Sequence, residues 1–286
     1  MTVMTETTET TETTALELPR TMSPSKLSSF TDCALAFRFA VIDRLPEPPS
    51  PWATKGTLVH AALERLLLEP PPRRTLEVAL EALATAYGEL RDHPDVTGLA
   101  LDAEAELAFV AEAEALVRRY FELEDPRRVR PIGLEIKLAA EVGGVVLRGI
   151  IDRLELDDGG DLVITDYKTG RTPSERHERH RLEGVHLYAL LCERVIGRRP
   201  ARVQLFYLAE PVAIICTPSD RSVRSSERKL SAVWAAVERA SLRDDFRPHP
   251  SGLCDYCAFQ AFCPAFGGDP AAARRLGQLR ETATAV

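Results

Sequence analysis

Two aspartates in the middle of the sequence each follow an apolar, strand-like segment. Asp152 follows the segment 145–151, and Asp166 follows the segment 162–165, two residues before Lys168. Because tight turns separate these segments, we expect neighbouring antiparallel strands that bring both carboxylates to one end of a sheet. Two close carboxylates repel each other unless a cation lies between them, so the pattern predicts a divalent metal site. Side chains two residues apart share a face of a strand, which places the Lys168 ammonium beside Asp166.

Two further side chains could join this site. Glu135 lies on the preceding predicted strand, where it could bind the metal, support another ligand or remain exposed at the strand edge. His60 lies on a predicted helix over 55–68, and imidazole often accompanies carboxylates at a metal. Taken singly, the acidic and basic residues could equally be solvated turn residues, and His60 could be an ordinary core or surface residue.

The cysteines near the end of the sequence form a second chemical pattern. Cys254 and Cys257 make a C-x2-C unit, and Cys263 follows after five intervening residues. Both thiolates of such a unit can reach one metal centre. A fourth ligand must come from far along the chain, and Cys33 is the natural candidate. The irregular spacing favours an iron–sulfur cluster over zinc, which remains an alternative, and a redox disulfide is less favoured because no βαβ pattern follows.

The length and composition are those of a globular protein. The chain has 286 residues, of which 45% are hydrophobic and 28% charged, and its net charge is −7. No apolar run approaches the roughly 18 residues that span a bilayer, and the first twenty residues lack the apolar core of a secretory signal. We therefore expect a cytoplasmic protein with reduced cysteines. Cys192 and Cys216 lie in apolar segments and are predicted to be buried thiols without a metal.

Helical segments dominate the first half of the chain, and strands follow. The first twenty residues contain eight Thr and four Glu, and we expect them to form a disordered tail. Periodicity predicts helices over 23–39, 55–68, 76–91 and 101–124. It predicts strands over 132–140, 142–156 and 162–167, a helix over 182–196, strands near 201–208 and 212–217, and a helix over 219–242. We therefore predict an α/β fold with a mixed sheet and a cysteine-bound lobe at the end.

The order of these motifs resembles the RecB-like branch of the PD-(D/E)xK nuclease superfamily. The motifs are Ser-x-Ser-x-Leu before Cys33, Gly-x-x-x-His ending at His60, Gly-x-x-Asp-Arg ending at Arg153, Asp-Tyr-Lys-Thr-Gly from Asp166, and C-x2-C-x5-C. More narrowly, the chain is similar to the iron–sulfur nucleases of that branch, which include the AddB nuclease domain and CRISPR-associated exonucleases. The resemblance spans about residues 23–264.

The resemblance implies a restriction-endonuclease-like core over residues 21–266, with a helical N-terminal part, followed by a C-terminal tail over 267–286. By the same resemblance, a catalytic Mg²⁺ or Mn²⁺ would be bound by His60, Asp152, Asp166 and the carbonyl of Tyr167. Lys168 would be the catalytic lysine. A [4Fe-4S] cluster would be held by Cys33, Cys254, Cys257 and Cys263, and it would join the two ends of the fold.

The implied activity is hydrolysis of DNA phosphodiesters by an exonuclease that acts on single strands or ends in DNA repair or recombination. A partner helicase would supply any unwinding, because the sequence has no P-loop motif. One alternative is a catalytically silent nucleic-acid-binding protein that keeps the cluster. Another is a zinc-stapled interaction module without nuclease chemistry.

The segment after Lys168 departs from the family pattern. Gly184 occupies the position, four residues before Tyr188, where the family usually has a Gln that contacts DNA or the catalytic water. Tyr188 itself is a candidate substrate-binding residue. The basic residues from Arg171 to position 181, Arg176 among them, could follow a DNA phosphate track or form a charged surface loop.

Overall fold

The computed structural model describes residues 16–172, 175–273 and 275–276, with the side chains of 175–183 outside that description. Its centre is a six-stranded mixed sheet in the order β1-β3-β4-β5-β6, with β2 paired to β3. The strands are β1 (Thr21–Met22), β2 (Pro131–Val142), β3 (Val145–Leu156), β4 (Leu162–Lys168), β5 (Arg202–Tyr207) and β6 (Val212–Cys216). The predicted mixed α/β fold is therefore confirmed.

Strand β3 pairs with one strand along its first edge and with two different strands along its second edge. Its first edge pairs antiparallel with β2 over the whole hairpin. Its second edge pairs in parallel with β1 at Val146 and Leu147, and antiparallel with β4 from Arg153 to Leu156. Residues 148–152 form no ladder pair on that edge. The sheet therefore opens into a fork between β3 and β4, immediately before Arg153.

Helices cover both faces of the sheet. Ser23 accepts a hydrogen bond from the backbone N–H of Lys26 and caps the first helix, and Pro24 at its first position suits a helix start. None of the described helices is long and apolar enough to cross a membrane. The helices are α1 (Pro24–Asp32), α2 (Ala34–Phe37), α3 (Pro51–Leu68), α4 (Leu76–Leu90), α5 (Pro94–Thr97), α6 (Ala103–Leu123), α7 (Glu175–Val195) and α8 (Asp220–Arg243), and a π-helical turn over Arg38–Ile42 continues α2.

The buried side chains form two hydrophobic cores, one on each face of the sheet. The first core lies between the sheet and helices α1, α2, α7 and α8. The second core lies between the sheet and helices α3, α4 and α6. Leu16 and Leu18, from the predicted N-terminal tail, pack on the first core, and Ala273 from the predicted C-terminal tail is buried in it. The packed chain therefore extends a few residues beyond both predicted boundaries.

The element boundaries differ from the sequence predictions mainly at the ends of helices, and the single helix predicted over 23–39 is broken at Cys33, whose backbone is extended. Helix α3 begins at Pro51 rather than 55, because Ser50 caps it and proline is favoured in a first turn. Helix α7 begins at Glu175 rather than 182, since its first turns are too polar to show an apolar period. The two-residue strand β1 was not predicted, because it is held by pairing with β3 rather than by local propensity. Residues 1–15 of the predicted N-terminal tail lie outside the described residues.

The β2–β3 turn provides a test of this packing. Gly143 and Gly144 both have positive φ, at 58° and 85°, and a Cβ on Gly143 would lie 1.9 Å from Oγ of Ser231. A Cβ on Gly144 would meet no atom within 4 Å. We predict that Gly144→Ala lowers the free energy of unfolding by about 1–2 kcal/mol from backbone strain. Gly143→Ala should lower it by at least about 1 kcal/mol more, because the turn must also move away from α8. Urea denaturation of both variants checks this, and equal losses would contradict the close packing.

Candidate active site

Three carboxylates lie side by side where β2, β3 and β4 meet. In the β2–β3 register Leu134 faces Arg153 and Ile136 faces Ile151, so Glu135 lies opposite Asp152. The β3–β4 ladder ends at the pair Arg153–Thr165, and Asp152 and Asp166 are the next residues on either strand. The sheet thus presents Glu135, Asp152 and Asp166 in one row, which we call the carboxylate row.

The backbone is irregular at this row. Along a regular strand, side chains alternate between the two faces of the sheet, so residues three positions apart face opposite sides. On β3, however, Ile151 and Leu154 both belong to the first core, so the alternation is interrupted near Asp152. Opposite Asp152, Glu135 has a φ of 48°, in the left-handed region that non-glycine residues rarely occupy. Backbone strain of this kind persists only where the surroundings hold it, and it concentrates at functional sites.

His60 reaches this row from helix α3. Its Nε2 lies 3.0 Å from the carbonyl oxygen of Tyr167, and since a carbonyl only accepts, Nε2 carries the proton. The other ring nitrogen, Nδ1, faces Asp152 Oδ2 at 3.6 Å and Glu135 Oε1 at 3.9 Å. One ligand atom from each of His60, Glu135 and Asp152 lies within 4.8 Å of the other two. These three atoms can therefore converge on one cation.

The charges of the row are unfavourable without a cation. Burial and the neighbouring charge of Asp166 raise the pKa of Asp152 to about 7. Burial also raises the pKa of Glu135. Both shifts mean that the ionised carboxylates are destabilised where they stand. A bound divalent cation would reverse that penalty, because it neutralises the charges that repel.

Lys168 compensates the third carboxylate. Its ammonium forms an ion pair with Oδ2 of Asp166, which is 5% exposed. Burial lowers the pKa of Lys168, but the Asp166 carboxylate outweighs that effect and the pKa is raised overall. Lys168 is therefore a cation at neutral pH. In this arrangement it is suited to stabilising negative charge rather than to removing a proton.

The backbone of Tyr167 links the fork together. Its N–H donates to Oδ2 of Asp152 at 2.7 Å, so the carboxylate takes the place of a ladder partner where the strands separate. Its carbonyl accepts the hydrogen bond from His60. Its ring lies on the opposite face of the sheet, in the second core. One residue thus sets the positions of both Asp152 and His60.

Behind the carboxylate row lies a buried arginine. Arg153 is fully buried and forms a two-pronged ion pair with Glu124 of the chain segment after α6, with Nη2 to Oε2 at 2.9 Å. It also donates to the hydroxyl oxygens of Tyr167 and Thr165, each at 2.9 Å. Tyr120 donates to the same Glu124 at 2.7 Å. This arginine network holds the fork from its rear face.

The predicted site residues come together only in part as expected. The structure brings His60, Asp152 and Glu135 together, while their roles as metal ligands stay predictions. Asp166 is adjacent but paired with Lys168, and the Tyr167 carbonyl is bound by His60. Glu124 and Tyr120 were not predicted, because the contact of Glu124 with Arg153 and that of Tyr120 with Glu124 depend on the packing of α6 against the sheet.

Residues from α7 and the preceding segment border the site. Tyr188 lines the same groove as Asp166 and Lys168, and burial, with added repulsion from Asp166, Asp152 and Glu135, raises the pKa of its hydroxyl. Arg171 is exposed and lines the same groove as Asp166 and Lys168. A Cβ on Gly184 would lie 3.8 Å from Pro24, so a side chain fits there. The side chain of Arg176 lies outside the described residues.

The four predicted cluster cysteines line one side of the same groove. Burial and the nearby thiols of Cys33, Cys254 and Cys263 raise the pKa of Cys257, which shows that chain segments from both ends meet there. Backbone N–H groups point at two of the sulfurs, from His249 to Cys33 and from Ser251 to Cys254. Within the described chain, His60, Glu135 and Asp152 are the one set of three metal-binding atoms closer than 4.8 Å to each other. No three of the four thiols therefore lie within 4.8 Å of one another.

The other two cysteines have different surroundings. Cys192 is fully buried on α7, and burial raises the pKa of its thiol to about 12. Cys216 is half-buried, and its sulfur lies 3.8 Å from Nε2 of His186. Neither lines the groove that holds the other four. The prediction of a buried thiol is confirmed for Cys192, whereas Cys216 is less buried than predicted because β6 lies at the sheet edge.

A mixed sheet flanked by helices, with acidic residues and a lysine where two central strands separate, is the arrangement of a PD-(D/E)XK nuclease. The model of the PD-(D/E)XK nuclease superfamily matches residues 21–264. The chain therefore belongs to this superfamily.

The chain is also similar to particular proteins over most of its length. The chain is 22% identical over 266 residues to the Gene 69 protein of Mycobacterium phage D29 and 23% identical over 290 residues to the Gene 69 protein of Mycobacterium phage L5. Each match covers 85% of this chain and 96% of the relative. A crystal structure of a candidate exonuclease from Eubacterium rectale is similar with a TM-score of 0.54 and 14% identity, over 83% of this chain and 87% of that one. At that identity the likeness concerns the fold alone.

Removing Glu124 tests the arginine network. Glu124→Ala leaves the Arg153 guanidinium buried without its main counter-charge, which typically costs about 3–5 kcal/mol of stability. Glu122→Ala is the matched control, since Glu122 is an exposed glutamate in the last turn of α6, two residues before Glu124. We predict a large fall in melting temperature for Glu124→Ala and almost none for the control. Thermal unfolding followed by circular dichroism measures both, and equal melting temperatures would refute the network's role.

Proposed function

We propose that this chain is a divalent-metal-dependent deoxyribonuclease that acts on single strands or DNA ends. The observation that carries the proposal is the carboxylate row, with His60 and Lys168 beside it. Membership of a nuclease superfamily supports hydrolysis of phosphodiesters as the reaction class. Exonuclease action, a role in DNA repair or recombination, a partner helicase and a cytoplasmic location are further parts of the proposal that remain predictions.

The donor set suits a hard cation. Two carboxylates and one imidazole, as in Glu135, Asp152 and His60, are ligands that Mg²⁺ and Mn²⁺ accept. Asp166 and the Tyr167 carbonyl, which the family resemblance also implies as ligands, lie directly beside them. When bound, the cation would polarise the phosphodiester and activate water as the nucleophile.

The protein's own residues have distinct tasks in this proposal. Lys168 holds a positive charge next to the row, where negative charge develops on the phosphoryl oxygens. Asp166 keeps that lysine protonated and in place. Tyr167 fixes Asp152 through its N–H and His60 through its carbonyl, so the ligands are positioned before substrate arrives.

We propose that Cys33, Cys254, Cys257 and Cys263 hold a [4Fe-4S] cluster. The support is their common location on one side of the groove and the N–H groups directed at Cys33 and Cys254. A cluster there would tie the start of the nuclease fold to its end. Zinc remains the alternative occupant.

The competing function is a silent nucleic-acid-binding protein that keeps the cluster. Gly184, in place of the usual Gln, is the feature that favours this alternative. The convergence of Asp152, Asp166 and Lys168 favours catalysis, because a site that only binds DNA has no need of mutually repelling carboxylates around a lysine.

Cleavage by an Asp152 variant tests the nuclease directly. Asp152→Asn preserves shape but removes a ligand charge, so we expect cleavage of end-labelled DNA in Mn²⁺ to fall by at least about 100-fold. Its melting temperature should not fall, since the charge it removes is repelled by Asp166. Asp158→Asn, in the exposed turn after β3, is the control and should cleave like the parent. Undiminished cleavage by Asp152→Asn would show that the site is elsewhere.

Lys168 is expected to act in the transition state. Lys168→Ala should lose about 10²–10³-fold in turnover while its affinities for Mn²⁺ and DNA change little. Single-turnover cleavage measures the loss of turnover, and DNA binding measured separately in EDTA shows whether the DNA affinity has changed. Normal turnover combined with weak DNA binding would make Lys168 a phosphate anchor instead.

Iron content tests the cysteine site. Cys33→Ser should lose iron and sulfide from anaerobically purified protein and become more sensitive to protease near both ends of the fold. Cys216→Ser is the control and should retain the iron, because Cys216 lies outside the groove. Full iron retention in Cys33→Ser, or zinc in place of iron in the parent, would contradict the proposed cluster.

A further inference from the structure

A long groove leads away from the carboxylate row. Its volume is about 1380 Å³, and it runs from Asp166 and Lys168 to the cysteine-bearing segment that follows α8. One wall is helix α1, and Gly184 and Tyr188 of α7 contribute to its lining. Because the groove extends away from Asp166 and Lys168, it has room for a polymer on at least one side of the bond to be cleaved.

The far end of this groove is apolar and aromatic. Tyr256 is 89% exposed, Leu253 is 59% exposed and Phe266 is 51% exposed, and all three line the groove. Tyr256 lies between Cys254 and Cys257, so any metal centre held by these cysteines would also fix the position of its ring. Aromatic side chains presented in this way beside a polymer track are typical stacking platforms for unpaired bases.

The wall formed by α1 offers hydrogen-bond donors. Ser25, Ser28 and Ser29 line the groove from adjacent turns of the helix. Hydroxyl groups of this kind commonly contact phosphate oxygens. The N-terminal end of α1 faces the same groove, and its partial positive charge favours phosphate.

The charges that the described residues bring to the groove do not favour a duplex. Among them Lys168 and Arg171 line it, but so do the acidic Asp32, Glu47 and Asp166. A double helix hides its base faces and presents mainly phosphate charge, which a nearly balanced groove attracts weakly. A single strand offers base faces to Tyr256 as well as phosphates to the serines. The combination fits a single strand better.

We infer that this groove holds a single DNA strand whose phosphates pass α1 and one of whose bases stacks on Tyr256. The inference rests on the proposed nuclease function and names its substrate and the residues that select it. It gives the cysteine-bearing segment a direct part in substrate binding, beyond joining the ends of the fold.

The test is binding of a fluorescent 12-nucleotide oligodeoxythymidylate and of a duplex of the same length, measured by anisotropy in EDTA. Parent protein should bind the single strand more tightly than the duplex. Tyr256→Ala should weaken single-strand binding by about tenfold or more, while Tyr256→Phe, which keeps the ring, should bind like the parent. Trp52→Ala is the matched control, because Trp52 is an exposed aromatic residue that does not line the groove. Leu253→Ala provides a second groove variant with a smaller expected loss.

Each outcome bears on the inference. Unchanged single-strand binding in both Tyr256→Ala and Leu253→Ala would overturn it, as would an equal loss in Trp52→Ala or equal losses for strand and duplex. Because EDTA withholds Mg²⁺ and Mn²⁺ from the carboxylate row, these results do not depend on catalysis. Failure of the nuclease proposal would instead appear as absence of cleavage by the parent protein in Mg²⁺ and Mn²⁺.

Discussion

Repulsion among three carboxylates, held side by side by strand pairing, is the constraint on which the rest of this site depends. The β2–β3 hairpin fixes Glu135 opposite Asp152, and the β3–β4 ladder ends with Asp166 next in line. None of the three can move away without breaking the sheet. The protein compensates Asp166 with Lys168 and Asp152 with the Tyr167 N–H. The negative charge between Glu135, Asp152 and His60 has no comparable compensation among the described residues, and a cation could bind there.

The fork in the sheet explains how such an arrangement stays folded. Where β4 leaves β3, the lost ladder bond is replaced by the side chain of Asp152, which ties backbone geometry to site geometry. Arg153, one residue further, faces the other way and anchors the fork to Glu124 and to the Tyr167 hydroxyl. Adjacent residues on β3 therefore serve the two faces of the sheet. Substitutions in the second core are expected to disturb the site through Tyr167, although they contact no substrate.

Much of the site follows from local sequence signals, and the remainder depends on tertiary packing. Asp152, Asp166 and Lys168 could be found because apolar strands and turns flank them. The position of Glu135 could have been derived as well, since the two-residue Gly143–Gly144 turn pairs Val142 with Val145 and counting back places Glu135 opposite Asp152. The Glu124 contact could not, because no local pattern tells how the end of α6 packs against Arg153. The pairing of β1 was hidden because its neighbour β3, rather than propensity, determines it. The early start of α7 was hidden because its first turns are too polar to show an apolar period.

We propose that the carboxylate row and His60 form one cation site. Anomalous diffraction from crystals of the protein grown with Mn²⁺ would locate a bound cation. We expect a single strong peak within about 2.0–2.3 Å of a carboxylate oxygen of Asp152, with Glu135 and Nδ1 of His60 completing the protein ligands. A peak bound away from this row, or a row that remains without manganese at millimolar Mn²⁺, would contradict it.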